Sequence, residues 1–289
     1  MEIYKDISES SKKLYTHNLK KLNGGNEITS LTFLKKKDAI LSQMDSMNQN
    51  TKRTYLIAIV SAVKQSDNKA VKKLYEFYYP LLQTINIELK DNTSKTPKET
   101  ENWITVDDLT VIIDKVDEIV GELKSKKKIT DDQYERLLDC LILSLYTKIP
   151  PRRSLDYIAM DVAPPEENQT TNYLHGDKFY FNRYKTAGTY KQQVVDIPAE
   201  LQAIIKFYLK FRKESETNKF LINKKGKEFK SSTDMTVRLN RIFDKSISVS
   251  MLRKLYLTSK YGNTMDDLKK DATAMGTSVG TIQSNYIKV

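Results

Sequence analysis

The chain has 289 residues, 39% hydrophobic and 29% charged, with 17 Tyr and 9 Phe and a formal net charge of +11. That composition fills one large core or two smaller ones and excludes a disordered chain. The single cysteine excludes an internal disulfide framework, one Cys with two His argues against a His/Cys zinc site, and no apolar run reaches membrane-spanning length.

The start, MEIYKDISES, is polar and mixed in charge. It has the features of neither a signal peptide nor a transit peptide, so an intracellular protein is expected. The charge is uneven: net +6 over residues 1–95, −4 over 96–150 and +9 over 151–289. Two basic segments flanking an acidic one favour a polyanionic partner, because cationic surfaces gain by releasing counterions from nucleic acid.

Residues 1–22 read as a helix with a basic face, SSKKLYTHNLKKL, stopped by Gly24 and Gly25. LTFLKKKDAILSQM reads as a second helix. NQNTKRTYLIAIVSAVKQ reads as a third, capped by Asn50 or Thr51, with Tyr55, Ile59 and Val63 on one stripe. NKAVKKLYEFYYPLLQTINIEL continues helical, with a kink or restart expected at Pro80. The first 90 residues are therefore expected to form an all-α domain. The stretch 91–104, poor in apolar residues and carrying Pro97, is expected to be a linker.

Residues 105–289 are expected to form a second domain, mainly α with a small β-sheet. VDDLTVIIDKVDEIVGEL repeats apolar residues at helical spacing. Thr130 and Gln133 form a capping-box pattern before the apolar run at 137–145, which contains Cys140 as a core residue and ends at Pro150 and Pro151. The period then changes. DKFYFNRYKT and YKQQVVDIP read as a hairpin around Ala187 and Gly188. Pro198 opens a helix, PAELQAIIKFYLKFR, and further helices are expected at 231–244, 249–261, 264–274 and 278–286.

Certain polar residues sit on apolar elements. Arg152 and Arg153 follow the double proline. Arg253 lies among Met251, Leu252 and Leu255, where an arginine is costly to bury without an anion. Lys185 ends the first hairpin strand. Tyr286 stands ten residues after Gly276, with three residues behind it. Together, two arginines, a lysine and a tyrosine suit one chemistry. Guanidinium forks match non-bridging phosphate oxygens, and two of them favour ionisation of a phenol whose pKa is near 10. A lysine can protonate a departing sugar oxygen. Covalent phosphoryl transfer to tyrosine follows, without a metal.

On these residues the chain resembles the tyrosine recombinase (phage-integrase) family, which shares its catalytic fold with type IB topoisomerases. The family's first arginine lies in a pattern like LYTGLRxSEL; LYTKIPPRRSLDYIAM places Arg153 three residues before Asp156, with Arg152 as the alternative register. Its hairpin lysine matches Lys185 in RYKTAGTYKQQVVDIP, with Lys191 the weaker candidate. Its HxLRH box matches residues 250–254, placing Ser250 and Arg253. Its LGHSS…Y box matches residues 275–278 and Tyr286, placing Thr277 where a His or Trp is usual. The chain departs from the family at Ser250 and Thr277, which donate hydrogen bonds but accept no proton near neutrality.

The resemblance implies a two-domain clamp on double-stranded DNA. Its N-terminal part would be a helical core-binding domain. Four protomers would act on two DNA sites, and neither ATP nor metal nor any other cofactor would be needed. Tyr286 would be the nucleophile, Arg153 and Arg253 the phosphate ligands, Lys185 the acid, and Ser250 and Thr277 supporting donors. The intermediate would be a 3′-phosphotyrosyl ester. The setting would be a mobile element or large DNA virus. Alternatives stay open: a topoisomerase-like relaxer, a catalytically weakened DNA-binding relative, or a basic helical interaction protein.

Overall fold

The computed structural model describes all residues except 1, 2, 6, 92, 93, 167–169, 278 and 284–289. It divides into two compact units, Met1–Lys95 and Thr96–Val289. Among the described residues no helix is long and apolar enough to cross a membrane.

The first unit is helical: α1 (Glu9–Leu22), α2 (Lys37–Ser42), α3 (Gln49–Lys64), α4 (Lys69–Lys72) and α5 (Tyr75–Asp91), with a 3-10 turn at Thr32–Lys35. The apolar α3 is central and packs against α1 and α5, burying Ala58, Ile59, Ala62 and Val63 against Leu19 and Tyr78. Two buried tyrosines tie the chain to itself, Tyr4 donating to the Ala58 carbonyl (3.0 Å) and Tyr78 to the Leu34 carbonyl (2.7 Å). One expectation is corrected: Asn48, not Asn50 or Thr51, caps α3, accepting from the Thr51 N–H at 2.9 Å. α5 continues through Pro80, the sixth residue of the helix, so the helix does not restart there.

In the second unit the stretch read as linker becomes structured at Thr96, which caps α6 (Pro97–Glu101) through a capping box with Glu99. Ile104 is already part of the core. Thr105 and Thr130 cap α7 (Val106–Leu123) and α8 (Asp131–Thr147) in the same way. The C-terminal part of α8, CLILSLY, is buried on all sides, and Leu137, Leu138, Cys140, Leu141 and Ile142 are fully enclosed. Burial pushes the Cys140 thiol up to about 12. Around α8 stand α7, α11 (Ala199–Phe211) and α12 (Ser232–Phe243). Arg238 of α12 reaches Glu135 and Asp139 of α8, each at 2.7 Å, and Arg241 joins the same pair of acids.

Between α8 and α11 lie α9 (Ser154–Ile158) and a four-stranded mixed sheet. Its strands are β1 (Met160–Asp161), β2 (Asn172–His175), β3 (Lys178–Phe181) and β4 (Gln193–Asp196), in that order; β1 and β2 are parallel and the other pairs antiparallel. The two runs expected to form a hairpin do pair antiparallel, as β3 and β4, but the tight turn of the sheet lies elsewhere. The tight turn joins β2 to β3 at Gly176, whose φ of 60° suits a residue without Cβ. β3 and β4 are joined by residues 182–192, which carry a helical turn, α10 (Ala187–Tyr190). Phe179 and Phe181 point into the core, while Val194 on the opposite face is exposed.

The last elements are α13 (Val249–Ala274) and α14 (Val279–Thr281). The expected break between helices at 249–261 and 264–274 is absent: α13 is one helix of 26 residues. A mid-helix glycine such as Gly262 costs about 1 kcal/mol relative to Ala, too little by itself to end a helix that its flanks continue.

Candidate active site

The double proline stops α8 and delivers the chain to α9 with Arg153 at the N-cap position (φ −73°, ψ 150°). The two adjacent arginines part company here. Arg152 is fixed by the protein. Its Nε donates to Asp156 Oδ2 (3.1 Å) and its Nη1 to Gln193 Oε1 of β4 (2.8 Å). Its guanidinium lies over the Phe181 ring (3.8 Å) and near the Tyr184 ring (5.0 Å). Arg153 is half-buried and feels the Asp156 carboxylate, but its guanidinium makes no hydrogen bond or ion pair among the described residues. Burial pushes the Asp156 carboxyl up from its ordinary value, against the pull of Arg152 and Arg153.

Asn172, fully buried at the start of β2, organises the same region. Its Nδ2 donates to the carbonyls of Asp156 (2.8 Å) and Arg183 (2.9 Å), and its Oδ1 accepts from the N–H groups of Asn182 (2.8 Å) and Arg183 (2.7 Å). One side chain thus joins α9 to the connection leaving β3. Tyr184 ties that connection to itself, donating to the Lys191 carbonyl at 2.6 Å. Lys185 follows Tyr184, exposed and in a turn. It does not end the strand as expected, because β3 stops four residues earlier at Phe181. Through Arg152 and Tyr184, the chain segments that carry Arg153 and Lys185 lie side by side.

Ser248 caps α13 by accepting from the Met251 N–H (3.2 Å). Ser250 is exposed on the first turn, and Met251 and Leu252 are buried. Arg253 is half-buried, and among the described residues its guanidinium makes no hydrogen bond or ion pair. Its neighbour Lys254 is paired with Glu99. Leu252 and Leu255 share the wall of a cavity of about 500 Å³ with Trp103, Leu109, Tyr146 and Thr147. The root of α13 therefore faces the end of α8, a few residues before Arg153. The cavity is mainly apolar and suits no phosphate.

Thr277 does not join this group. α13 ends in a Schellman motif, with Gly276 at φ 64° and the Thr277 N–H bonded to the Ala272 carbonyl at 2.9 Å. The helix between Arg253 and Ala274 is about 32 Å long at 1.5 Å per residue. The structure therefore sets the chain segments that carry Arg153 and Lys185 side by side, places Ser250 and Arg253 together on the root of α13, and holds Thr277 at its far end. Tyr286 lies outside the described residues.

Asn172, Gln193 and Tyr184 are the residues that sequence reasoning missed. Asn172 offers no sequence signal, since its partners are backbone groups up to 16 residues away. Gln193 and Tyr184 lie in the same stretch as the matched lysine, where nothing local marks them as partners of Arg152. No family model matches the chain, and neither a curated protein nor a solved structure matches it.

Proposed function

We propose that the protein is a tyrosine recombinase that cuts and rejoins duplex DNA through a phosphotyrosyl intermediate. One observation carries the reading: the pairing pattern of the cations. Arg152 and Lys254 are ion-paired, whereas the guanidiniums of Arg153 and Arg253, each one residue away and half-buried, make no hydrogen bond or ion pair among the described residues, Arg153 feeling the Asp156 carboxylate from beyond ion-pair distance. A half-buried guanidinium without a counter-charge is costly unless an anion completes it. Among the described residues, these two half-buried guanidiniums stand at the positions that the chemistry requires.

In the proposed reaction the Tyr286 oxygen attacks the scissile phosphorus, losing its proton to water. An O–P ester bond forms, the bond to the 5′ oxygen breaks, and Lys185 gives that oxygen its proton. Arg153 and Arg253 hold the non-bridging oxygens as charge develops, and Ser250 donates a further hydrogen bond. Because the ester conserves the bond energy, rejoining is the reverse attack by a 5′ hydroxyl. The basic first unit would hold phosphates along the duplex, completing a clamp, and four protomers would exchange strands between two sites.

Thr277 reaches this site only if α13 bends. Gly262 and Asn263, two poor helix formers, are the place for it. Folding back there sets Thr277 opposite the first turn of α13, beside Ser250. The test is a nicked suicide duplex, on which a covalent protein–DNA band is expected from the native chain and none from Tyr286→Phe. A band that survives this substitution, or no band from either protein, overturns the reading. A second reading, a DNA-binding relative with weakened chemistry, is favoured by the distance of Thr277 from Arg253 and by Ser and Thr where relatives hold proton-accepting groups. Tight duplex binding with no covalent band would establish it. Relaxation of a plasmid without exchange between two sites would point to a topoisomerase-like relaxer.

A further inference from the structure

The connection from β3 to β4, residues 182–192, carries Arg183, Lys185 and Lys191 and no acidic residue. All three side chains are exposed, and none makes an ion pair among the described residues. Lys191 is unusual in its backbone as well. Among the described residues two non-glycines have positive φ, Asp244 and Lys191. Asp244 (47°, 36°) lies in the left-handed helical well that Asp often visits. Lys191 (54°, −153°) lies near a region that glycine ordinarily fills.

The surroundings over-determine this conformation. The Lys191 N–H bonds to the Ala187 carbonyl (2.9 Å), closing α10, and its carbonyl accepts the Tyr184 hydroxyl (2.6 Å). The next residue, Gln192, donates to Asn182 Oδ1 (2.8 Å), and Gln193 is held by Arg152. The chain must turn from α10 into β4 within one residue, and glycine would do so without strain. A lysine there carries a backbone cost that no contact of its own side chain offsets within the protein. Strain of this kind is kept where the side chain has a use outside the fold.

We propose that Lys191 seats a backbone phosphate of duplex DNA other than the one that is cut, so that it contributes affinity and register. The inference rests on the duplex-binding part of the function proposed above. It separates the two lysines of this connection: Lys185 serves the reacting atoms, and Lys191 holds the duplex.

The test compares Lys191→Gly with the parent chain, both carrying Tyr286→Phe so that binding is read without cleavage. Affinity for a duplex of arbitrary sequence is measured across a salt series, and thermal unfolding is followed without DNA. Glycine fits the backbone, so the variant is expected to fold and to melt higher than its parent. Loss of one phosphate contact is expected to lower the slope of log K against log salt by about 0.9. Lys191→Arg is expected to restore the slope. An unchanged slope in Lys191→Gly overturns the proposal, as does a lower melting temperature, which would show that the lysine is not strained. If the parent chain binds no duplex at low ionic strength, this proposal and the function both fall. If the slope drops as expected while the native chain forms no covalent product, the phosphate contact stands and the recombinase chemistry falls.

Discussion

The sheet side of the second unit and the long helix that follows it are built on opposite terms. Around Arg152 the fold supplies partners: Asp156, Gln193 and the Phe181 ring hold the guanidinium, and Asn172 answers four backbone groups. Along α13, by contrast, no residue from Arg253 to Asp271 is buried, and Leu257, Tyr261 and Met265 expose an apolar stripe. A helical stretch of that length is marginal in water without packing, the more so with glycine at its centre. The surroundings of Arg152 are therefore fixed by packing and hydrogen bonds, whereas the middle of α13 is held mainly by its own helical bonds.

Substitutions at the adjacent arginines test this contrast most strongly. Arg153→Ala and Arg253→Ala are expected to slow covalent complex formation by roughly a hundredfold to a thousandfold, the usual loss for one transition-state donor, with little change in melting temperature. Arg152→Ala should do the reverse to stability. It strands Asp156, whose side chain is 4% exposed, and should cost about 3 kcal/mol, or roughly 6–12 °C in thermal unfolding. If Arg153→Ala unfolds the protein and Arg152→Ala does not, the assignment of the pair is inverted. Next in size is Asn172→Ala, expected to cost about 2–4 kcal/mol by leaving buried backbone groups without partners, read by urea unfolding.

The helix side predicts smaller effects. Gly262→Ala should stiffen α13, worth about 1 kcal/mol in local helix stability, and slow cleavage if bending is required. Backbone amides of 257–271 should exchange far faster than those of α8, and protection should appear on DNA binding. Equal exchange in the two helices of the free protein would erase the contrast. Smallest is an acid effect at the root of α13. The hydrogen bond from Lys254 holds the Glu99 carboxyl at about 2, below its ordinary 4.5. Its contribution is present above the ordinary value and lost as pH falls towards 2. Lys254→Met should therefore flatten the fall in melting temperature over that acid interval.

Much of the helical frame was legible because caps and apolar periodicity are local. The capping box at Thr130 and the apolar run of α8 are read directly, and so is Pro198 opening α11. β1 and β2 were missed because each is four residues or fewer, too short for their alternation to stand out. The unbroken α13 was misread because Gly262 and Asn263 resemble a helix stop, whereas the actual stop, Gly276, comes a turn after Ala272 with both Schellman bonds formed. For the candidate site, residue types were readable but pairing was not. Nothing in PPRRSLDY says which arginine turns toward Asp156 and Gln193, since Gln193 arrives from 41 residues away.

The lone thiol has a practical consequence. Cys140 is sealed in the centre of α8 and stays protonated at any working pH, so it will not compete for maleimide dyes. The native chain can accept one reporter cysteine near the tip of α13 and another beside Lys185 without first being stripped of its own. Energy transfer between two such fluorophores would report the distance between those two points in the free protein and after addition of duplex DNA.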